Sequence, residues 1–315
     1  MSLKSGREWC FLLVYASVIS CSGGSDLSSI PMNWQPLSSL NESLPEGIRV
    51  YEGLNQDLPL KAWYVLVDEA DPSITTRVVV SEDTDRRESA SSFADRLGAP
   101  VVVNGGYFRM DLEPAEHVGL LCIDRQILHP ATISVRRDTI RYHTARAALG
   151  FTKEGHIDVA WVSSRNDSLL EWEEPPFNVP GTPSPPLDFR RSRLWNVRDA
   201  LAAGPALLWN GSIRITSDEE VFFDSSIPQI HPRTAAGYTC DGKLVLLVVD
   251  GRQPESRGVD LMELATIMQD LGCVEAVNLD GGGSSSLVVN GVLVNRPAGG
   301  EYQREVMSAL AVFYR

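Results

Sequence analysis

Val-Asn-Leu-Asp-Gly-Gly-Gly-Ser-Ser-Ser, residues 277–286, is the stretch from which the fold and the chemistry of this chain can be worked out. An apolar strand runs into one carboxylate, Asp280, and three glycines and three serines follow it. Consecutive glycines let the backbone approach a ligand closely, with amides that can point at an anion. An acid at a strand end beside such a loop is typical of a functional site. The alternative is a flexible Gly/Ser hairpin loop.

The sequence before this loop has the pattern of a strand, a helix and a second strand. The first strand covers 243–249 and ends at Asp250. The helix begins at Asp260, with Glu263 three positions later as in a capping box, and its apolar residues recur at helical spacing. The pattern predicts a C-terminal β-α-β unit with both acids at the C-terminal ends of parallel strands, where open sheets build their sites.

The rest of the chain is rich in strand patterns. Apolar and β-branched runs recur from 48 to 162 and again from 201, and residues 89–97 predict one short helix. A Pro-rich excursion at 163–198 interrupts the strands, because its prolines exclude regular sheet or helix. The predicted fold class is α+β: a strand-rich single domain with mixed β-sheets, a few packing helices and the C-terminal β-α-β unit.

The N-terminus has the pattern of a targeting segment. Basic residues precede the apolar stretch 10–19, which is too short to span a bilayer. It ends in Val-Ile-Ser-Cys, which resembles a bacterial lipobox, so residues 1–20 are predicted to be a lipoprotein signal peptide and Cys21 the lipidated residue. An ordinary secretory signal is the alternative. We therefore expect an exported protein, periplasmic, at the outer membrane or at the cell surface, that contacts the membrane only through a lipid anchor.

The remaining chain is predicted to consist of a flexible tether, residues 21–45, and one domain, residues 46–315. The full sequence of 315 residues is 43% hydrophobic and 22% charged, with a net charge of −13, which is ordinary for a globular protein. Without a Lys/Arg-rich run, nucleic acid is excluded as a partner. Cys122, Cys240 and Cys273 match no Cys-x-x-Cys pair and are expected to be buried, with any pairing left open. The oligomeric state is also left open.

Four segments carry polar residues at strand ends or in loops that glycine or proline constrains: 104–108, 231–237, 250–252 and 278–284. In this order they resemble the motifs of the phosphodiester glycosidase family, and the resemblance covers about residues 75–315 outside the Pro-rich excursion. The segment Asn-Leu-Asp-Gly-Gly-Gly-Ser-Ser after an amphipathic helix is the most specific of them. The resemblance implies hydrolysis of a sugar-1-phosphodiester, of the α-N-acetylglucosamine-1-phosphate type, in a carbohydrate or glycan substrate.

The chemistry of such a reaction defines the groups that a site needs. Cleaving a sugar C1–O–phosphate bond builds positive charge at C1 and negative charge on the departing phosphate. By the resemblance, Asp280 acts at C1 as nucleophile or base, Arg233 holds the phosphate, and Asp250 is the second carboxylate. The other predicted substrate-binding residues supply amides, hydroxyls or polar side chains: Asn104, Gly105, His231, Thr234, Arg252, Asn278, Gly282, Gly283, Ser284 and Ser285.

Other interpretations remain open at this point. Asp250 and Asp280 could be turn residues before glycine, or oxygen ligands of a metal-dependent phosphodiesterase. No His-x-x-x-His or comparable cluster supports a metal site, so no cofactor is predicted, with a divalent cation left open. A non-catalytic glycan-binding lipoprotein is the third alternative. A serine hydrolase that uses Ser284 or Ser285 is disfavoured, because no Gly-x-Ser-x-Gly elbow surrounds them.

Overall fold

The computed structural model describes residues 30–300 and 302–315. The α-helices of these residues are α1 (Ser38–Asn41), α2 (Ala90–Leu97) and α3 (Leu261–Asp270). Their strands, in chain order, are β1 (Asn33–Pro36), β2 (Ile48–Asn55), β3 (Leu60–Val67), β4 (Ile74–Val80), β5 (Val101–Asn104), β6 (Phe108–Arg109), β7 (Glu116–His117), β8 (Leu121–Ile123), β9 (Gln126–His129), β10 (Ser134–Arg137), β11 (Ile140–His143), β12 (Arg146–Phe151), β13 (Ile157–Arg165), β14 (Ser168–Trp172), β15 (Arg193–Leu194), β16 (Asp199–Ala202), β17 (Ala206–Trp209), β18 (Ser212–Ile213), β19 (Arg233–Thr239), β20 (Leu244–Val249), β21 (Cys273–Asn278), β22 (Leu287–Val289), β23 (Val292–Leu293) and β24 (Ser308–Tyr314).

These strands form three large sheets and two small ribbons. The eight-stranded sheet has the order β1-β2-β3-β20-β19-β21-β17-β18, and the seven-stranded sheet has the order β15-β14-β13-β12-β16-β8-β9. A five-stranded sheet has the order β23-β22-β5-β24-β4. The ribbons pair β10 with β11 and β6 with β7. The strand-rich composition agrees with the predicted α+β class.

All strand pairs within the described residues are antiparallel, so the predicted mixed sheet is wrong. The cause is visible at β20, α3 and β21, which follow one another along the chain. β19 lies between the two strands and pairs with both of them in antiparallel fashion. β20 and β21 therefore run in the same direction without touching, and their C-terminal ends meet the start of β19 at one edge of the sheet.

The three large sheets enclose a common apolar core. Val248 of the eight-stranded sheet, Trp161 of the seven-stranded sheet and Leu310 of the five-stranded sheet belong to one buried cluster. Alternate residues of β20 face the opposite side of its sheet, where Val245 packs in a second cluster with Leu264 of α3. Both faces of this strand are therefore buried, which explains its continuous apolar sequence.

The two predicted helices, α2 and α3, are confirmed, and both begin at a capping residue. Ser89 caps α2, because its side chain accepts a hydrogen bond from the amide of Ser92. At α3, Asp260 and Glu263 form a reciprocal capping box, as the spacing predicted. These caps satisfy amides that a helix start would otherwise leave unpaired.

The polar N-terminal segment is part of the folded domain where it is described, so the predicted flexible tether is wrong for residues 30–45. β1 pairs with β2 as the edge strand of the eight-stranded sheet, and Ile30 and Leu44 are buried. The predicted signal peptide and Cys21 lie outside the described residues.

The Pro-rich excursion is irregular only in its middle, so the prediction is wrong at its two ends. β13 continues to Arg165 and pairs with β14, which in turn pairs with β15. Trp172 and Trp195 are both buried and fasten the ends of the excursion to the body of the domain. Proline excludes ladder hydrogen bonds only where it stands, and the strands use the proline-free ends.

No helix within the described residues is long and apolar enough to cross a membrane.

Cys122, Cys240 and Cys273 are free thiols. Cys122 and Cys273 are buried as predicted, but Cys240 is exposed in the turn between β19 and β20, so the prediction is wrong there.

Candidate active site

The predicted site residues converge on one edge of the eight-stranded sheet. Arg233 pairs with Val249 at the start of β19, and Ala235 pairs with Asn278 at the end of β21. Because β19 runs opposite to its neighbours, its first residues lie beside the residues that follow β20 and β21. This register brings Arg233, Asp250 and Asp280 to the same edge.

Asn104 joins this edge from the five-stranded sheet. Its side-chain Nδ2 donates to the main-chain oxygen of Asp280 at 2.7 Å, and its Oδ1 accepts from Thr234 Oγ1 at 2.7 Å and from the Ser286 amide at 3.1 Å. Gly105 accepts a hydrogen bond from the Asp280 amide at 3.1 Å. The Asn104 side chain is buried, and both its Nδ2 and its Oδ1 have hydrogen-bond partners, so it fixes the backbone that carries Asp280.

Asp280 is a half-buried carboxylate with few protein partners. Its Oδ1 accepts the amide of Gly281, its own neighbour, at 2.9 Å. Burial raises the pKa of Asp280 from its ordinary 3.8 to about 6, and the Gly281 amide and the Arg304 charge oppose the rise. The Ser284 hydroxyl also lowers this pKa, although its Oγ makes no hydrogen bond of good geometry. A carboxylate in this state can act as nucleophile or base near neutral pH.

The loop after Asp280 forms a short 3-10 turn, Gly282–Ser284. Gly282 has φ +64°, which favours glycine. Ser284, Ser285 and Ser286 are all buried, and their three hydroxyl oxygens have no hydrogen-bond partner within the described residues. Buried polar groups are normally paired, so three consecutive unpaired hydroxyls indicate a place for a polar ligand or for water.

Two arginines flank this loop. A Cβ on Gly283 would lie 2.7 Å from Nη2 of Arg304, and a Cβ on Gly282 would lie 3.4 Å from Nη1 of Arg252. Glycine at these positions therefore lets both guanidinium groups approach the backbone. Within residues 30–300 and 302–315, neither arginine forms an ion pair. The loop thus combines two neighbouring cations with buried, unpaired hydroxyls.

His231 holds Arg252 in place. Its Nδ1 lies 3.1 Å from Arg252 Nη2, and its Nε2 lies 2.8 Å from the main-chain oxygen of Ser226. Because arginine can only donate, Nδ1 is the acceptor and Nε2 carries the proton. Burial and the neighbouring arginines lower the pKa of His231, which keeps the ring neutral.

Arg233 uses its Nε and Nη2 atoms to bind main-chain oxygens rather than the glycine loop. It is buried, and it donates to main-chain oxygens of Val259 at 3.1 Å, of Ile227 at 2.6 Å and of Gln229. These bonds fix the loop that leads into His231. Sequence alone does not distinguish an arginine that binds phosphate from one that binds carbonyl groups.

Asp250 is fixed on all sides. Its Oδ1 accepts Asn295 Nδ2 at 2.9 Å, and the Arg296 amide lies 3.1 Å from both carboxylate oxygens. Burial raises the pKa of Asp250, and the Asn295 and Arg296 donors oppose that rise. Asn295 also donates to the Ser285 oxygen at 2.8 Å and accepts the Leu287 amide at 2.8 Å. Through Asn295, Asp250 therefore holds the C-terminal part of the serine stretch and the start of β22.

Asn278 and Tyr107 form the other side of the site. Asn278 Nδ2 donates to the Tyr107 hydroxyl at 2.8 Å and to the Gly204 oxygen at 3.0 Å, while its buried Oδ1 has no partner within the described residues. The Tyr107 hydroxyl donates to the Gly204 oxygen at 2.8 Å. Burial and the Asp280 charge raise the pKa of Tyr107, so the phenol is neutral and close to the carboxylate.

Tyr107 and Arg304 are the two site residues that the sequence-based prediction missed. Tyr107 follows the predicted Asn104-Gly105 pair, and Arg304 belongs to an Arg-Glu-Val segment near the C-terminus. Both signals are weak alone, because neither residue stands at a predicted strand end.

A cleft of about 380 Å³ opens beside the glycine loop. It is lined by Arg87, Met110, Gly283, Pro297, Ala298, Tyr302, Arg304 and Glu305. A larger cleft of about 530 Å³ lies along β4 and the C-terminal strand, away from all predicted site residues.

Within the described residues, no group of three or more His, Cys, Asp or Glu side chains has the arrangement of a metal site.

Known proteins resemble this chain in sequence and fold. Residues 97–313 match the model of a family described as phosphodiester glycosidase. The N-acetylglucosamine-1-phosphodiester alpha-N-acetylglucosaminidase of Bos taurus is 30% identical over 222 residues, which are 68% of this chain and 35% of that protein. The Homo sapiens protein of the same name is 28% identical over 222 residues, covering 68% of this chain and 36% of that protein. This chain spans about a third of the length of these relatives.

Solved structures share the fold. The catalytic domain of the zebrafish N-acetylglucosamine-1-phosphodiester alpha-N-acetylglucosaminidase, described as auto-inhibited by its pro-peptide, gives a TM-score of 0.62 at 21% identity, covering 90% of this chain and 88% of that chain. A hypothetical protein from Synechocystis gives 0.61 at 17% identity, covering 91% and 64%. These likenesses show that the chain shares its strand-rich fold with known proteins. The match over residues 97–313 shows that it belongs to the phosphodiester glycosidase family.

Proposed function

We propose that this protein is a glycosidase that hydrolyses a sugar-1-phosphodiester bond of the α-N-acetylglucosamine-1-phosphate type. Asp280 acts at the anomeric carbon, as nucleophile or as the base that activates water. The single observation that carries the proposal is the position of this under-bonded carboxylate beside a glycine loop that two arginines flank. Membership in the family supports the reaction class.

The phosphate is held by the loop and its arginines. Arg252 and Arg304 supply guanidinium groups beside Gly282 and Gly283, and Ser284 and Ser285 supply hydroxyls that have no hydrogen-bond partner within the described residues. Charge-assisted hydrogen bonds of this kind strengthen as negative charge develops on the departing phosphate. A phosphomonoester is already a good leaving group, so the reaction needs no strong general acid.

The predicted roles of Arg233 and Asp250 change in this proposal. Arg233 positions the loop that carries His231, because its Nε and Nη2 atoms donate to carbonyl oxygens. Asp250 positions the serine stretch through Asn295, because both of its oxygens accept hydrogen bonds. Neither is assigned contact with the reacting atoms.

The sugar lies on the side of Asn278 and Tyr107. The unpaired Oδ1 of Asn278 can accept a hydrogen bond from a sugar hydroxyl or from an acetamido N–H. Asn104 and Thr234 support Asp280 from behind, because their side chains bond to each other and to the loop backbone.

The location that we propose is the bacterial envelope or cell surface, with Cys21 as lipid anchor, so the substrate is an envelope or environmental glycan.

The proposal is tested with an α-N-acetylglucosamine-1-phosphate methyl diester and purified protein. We expect release of free sugar and methyl phosphate by the wild type, and loss of this release in Asp280→Asn and Arg304→Gln. Exposed residues provide matched controls, Asp270→Asn and Arg191→Gln, which should retain activity. Glycan binding without turnover would support the non-catalytic alternative. Loss of activity in EDTA would support the metal-dependent phosphodiesterase.

A further inference from the structure

We propose that Glu220 is a positioning residue for the sugar side of the site, acting through Gly204 on Asn278 and Tyr107. This inference rests on the proposed function, since its effect is measured as turnover. Glu220 lies outside every motif of the sequence and makes no contact with Asp280 itself.

Glu220 is a fully buried carboxylate that joins two sheets. Its Oε1 accepts the Ala206 amide at 2.9 Å and Thr216 Oγ1 at 2.5 Å, with Trp161 Nε1 at 3.3 Å. Its Oε2 accepts the Ala147 amide at 2.9 Å. Ala206 belongs to the eight-stranded sheet, whereas Ala147 and Trp161 belong to the seven-stranded sheet. The carboxylate therefore sets the spacing of the two sheets next to the site.

Gly204 transmits this spacing to the site. It has φ +87°, and Oε2 of Glu220 lies too close to the position that a Cβ on Gly204 would take for a side chain to fit there. The main-chain oxygen of Gly204 accepts from Tyr107 and Asn278, and its amide donates to the main-chain oxygen of Asn278 at 3.0 Å. Asn278 precedes Asp280 by two residues. A shift of Gly204 thus moves the two groups assigned to the sugar relative to the carboxylate.

The contacts of Glu220 require an ionised carboxylate. All four of its partners are donors, and an amide at this position would direct its NH₂ group at one of them. Burial raises the pKa of Glu220 to about 7, and the hydrogen-bond donors and Arg146 oppose the rise. Among the described residues, Arg146 and Tyr107 are the other titratable groups that interact with it.

The test compares Glu220→Gln with Thr216→Val and with a matched control. Thr216→Val removes one donor and keeps the carboxylate. Asp199→Asn changes another fully buried carboxylate, which Arg77 and Arg198 hold in the seven-stranded sheet. We measure kcat and KM for the methyl diester against pH, together with the melting temperature.

We expect Glu220→Gln to lower kcat/KM by about 100-fold, the scale of a reacting geometry displaced by about 1 Å. Thr216→Val should cause a smaller loss in the same direction. The wild type should lose kcat/KM in two steps as the pH falls, near 7 and near 6, and Glu220→Gln should keep only the step near 6. Asp199→Asn should lower the melting temperature while kcat/KM and its pH profile stay as in the wild type.

A Glu220→Gln variant with wild-type kcat/KM and both pH steps would overturn the inference. The inference would also be overturned if Asp199→Asn lost as much kcat/KM as Glu220→Gln when the two variants lose the same melting temperature. The role of Glu220 would then be structural. If Glu220→Gln fails to fold, Thr216→Val decides, since unchanged kcat/KM in that variant also contradicts the inference. An inactive wild type would instead contradict the proposed function.

Discussion

Two Asp-Gly turns lie at the same edge of the eight-stranded sheet, and their carboxylates differ sharply. Asp250 and Asp280 follow β20 and β21, which run in the same direction on either side of β19. Asp250 accepts hydrogen bonds from Asn295 and from the Arg296 amide. Asp280 accepts one, from the amide that follows it. The same Asp-Gly dipeptide after two strands of one sheet therefore gives one carboxylate that the protein hydrogen-bonds fully and one that remains available.

The difference teaches how burial and bonding combine. Burial raises the pKa of both groups, so burial alone does not identify the reactive one. What separates them is the number of lone pairs left for a substrate, together with the arginines beside the Asp280 loop. A buried acid that is fully hydrogen-bonded holds structure, whereas one that is under-bonded near cations is prepared for chemistry.

The largest expected effect is on the available carboxylate. Asp280→Asn should lower kcat by about 10³-fold, since a positioned carboxylate contributes roughly 10²–10⁴-fold to such reactions. The measurement is the initial rate of sugar release, with Asp270→Asn as the control at the exposed end of α3. A loss in Asp280→Asn no greater than that in Asp250→Asn would remove the distinction between the two turns.

The next effect is on the cation that accompanies Asp280. Arg304→Gln should lower kcat/KM by about 10- to 100-fold, because a hydrogen bond to a charged group contributes about 1.5–3 kcal/mol. Steady-state rates for the methyl diester check this, and Arg191→Gln controls for the loss of an exposed charge. If Arg304→Gln behaved as the wild type, the phosphate would have to bind elsewhere.

The committed carboxylate should show its role in stability. Asp250→Asn places a donor against the Asn295 side chain and the Arg296 amide, so we expect a loss of about 1–3 kcal/mol in the free energy of unfolding. Denaturant unfolding measures it. An unfolding free energy equal to that of the wild type would mean that these hydrogen bonds contribute nothing net.

The smallest effect has the opposite sign, at Asp280. Its pKa is raised from 3.8 in the unfolded chain to about 6, so the folded state favours the protonated form, and the free energy of unfolding falls as the pH rises from about 4 to about 6 and stays lowered above that. Asp280→Asn should therefore be more stable than the wild type at pH 7–8, by an amount on the order of 1 kcal/mol, and this advantage should disappear towards pH 4. Thermal unfolding across this pH range measures it. A variant that is less stable at pH 8 would contradict this environment for Asp280.

The features that the sequence predicted correctly are local ones. The capping box of α3 depends on residues three positions apart, and it forms as predicted, and α2 forms at the predicted residues. The Asp280 loop was recognised because its acid and glycines are contiguous. In contrast, the insertion of β19 between β20 and β21 depends on pairing across the chain, which periodicity does not encode, and the mixed sheet was therefore wrong.

Side-chain direction was equally hidden from the sequence. Arg233 was the predicted phosphate ligand, but it donates to carbonyl groups of a loop. Arg304 was not predicted, but its guanidinium packs on Gly283. The edge strand β1 was missed because its composition is polar. It nevertheless pairs with β2, and Ile30, which precedes it, is buried in the domain. These outcomes follow from tertiary contacts that only the folded chain defines.

The most direct test of Asp280 acting at the sugar carbon is the fate of the oxygen from water. Hydrolysis of the methyl diester in ¹⁸O-labelled water, followed by mass spectrometry of both products before exchange, shows which bond is cleaved. Attack at C1 predicts the label in the N-acetylglucosamine that is released, and unlabelled methyl phosphate. Label in the phosphate product would show cleavage of a P–O bond and would contradict the account.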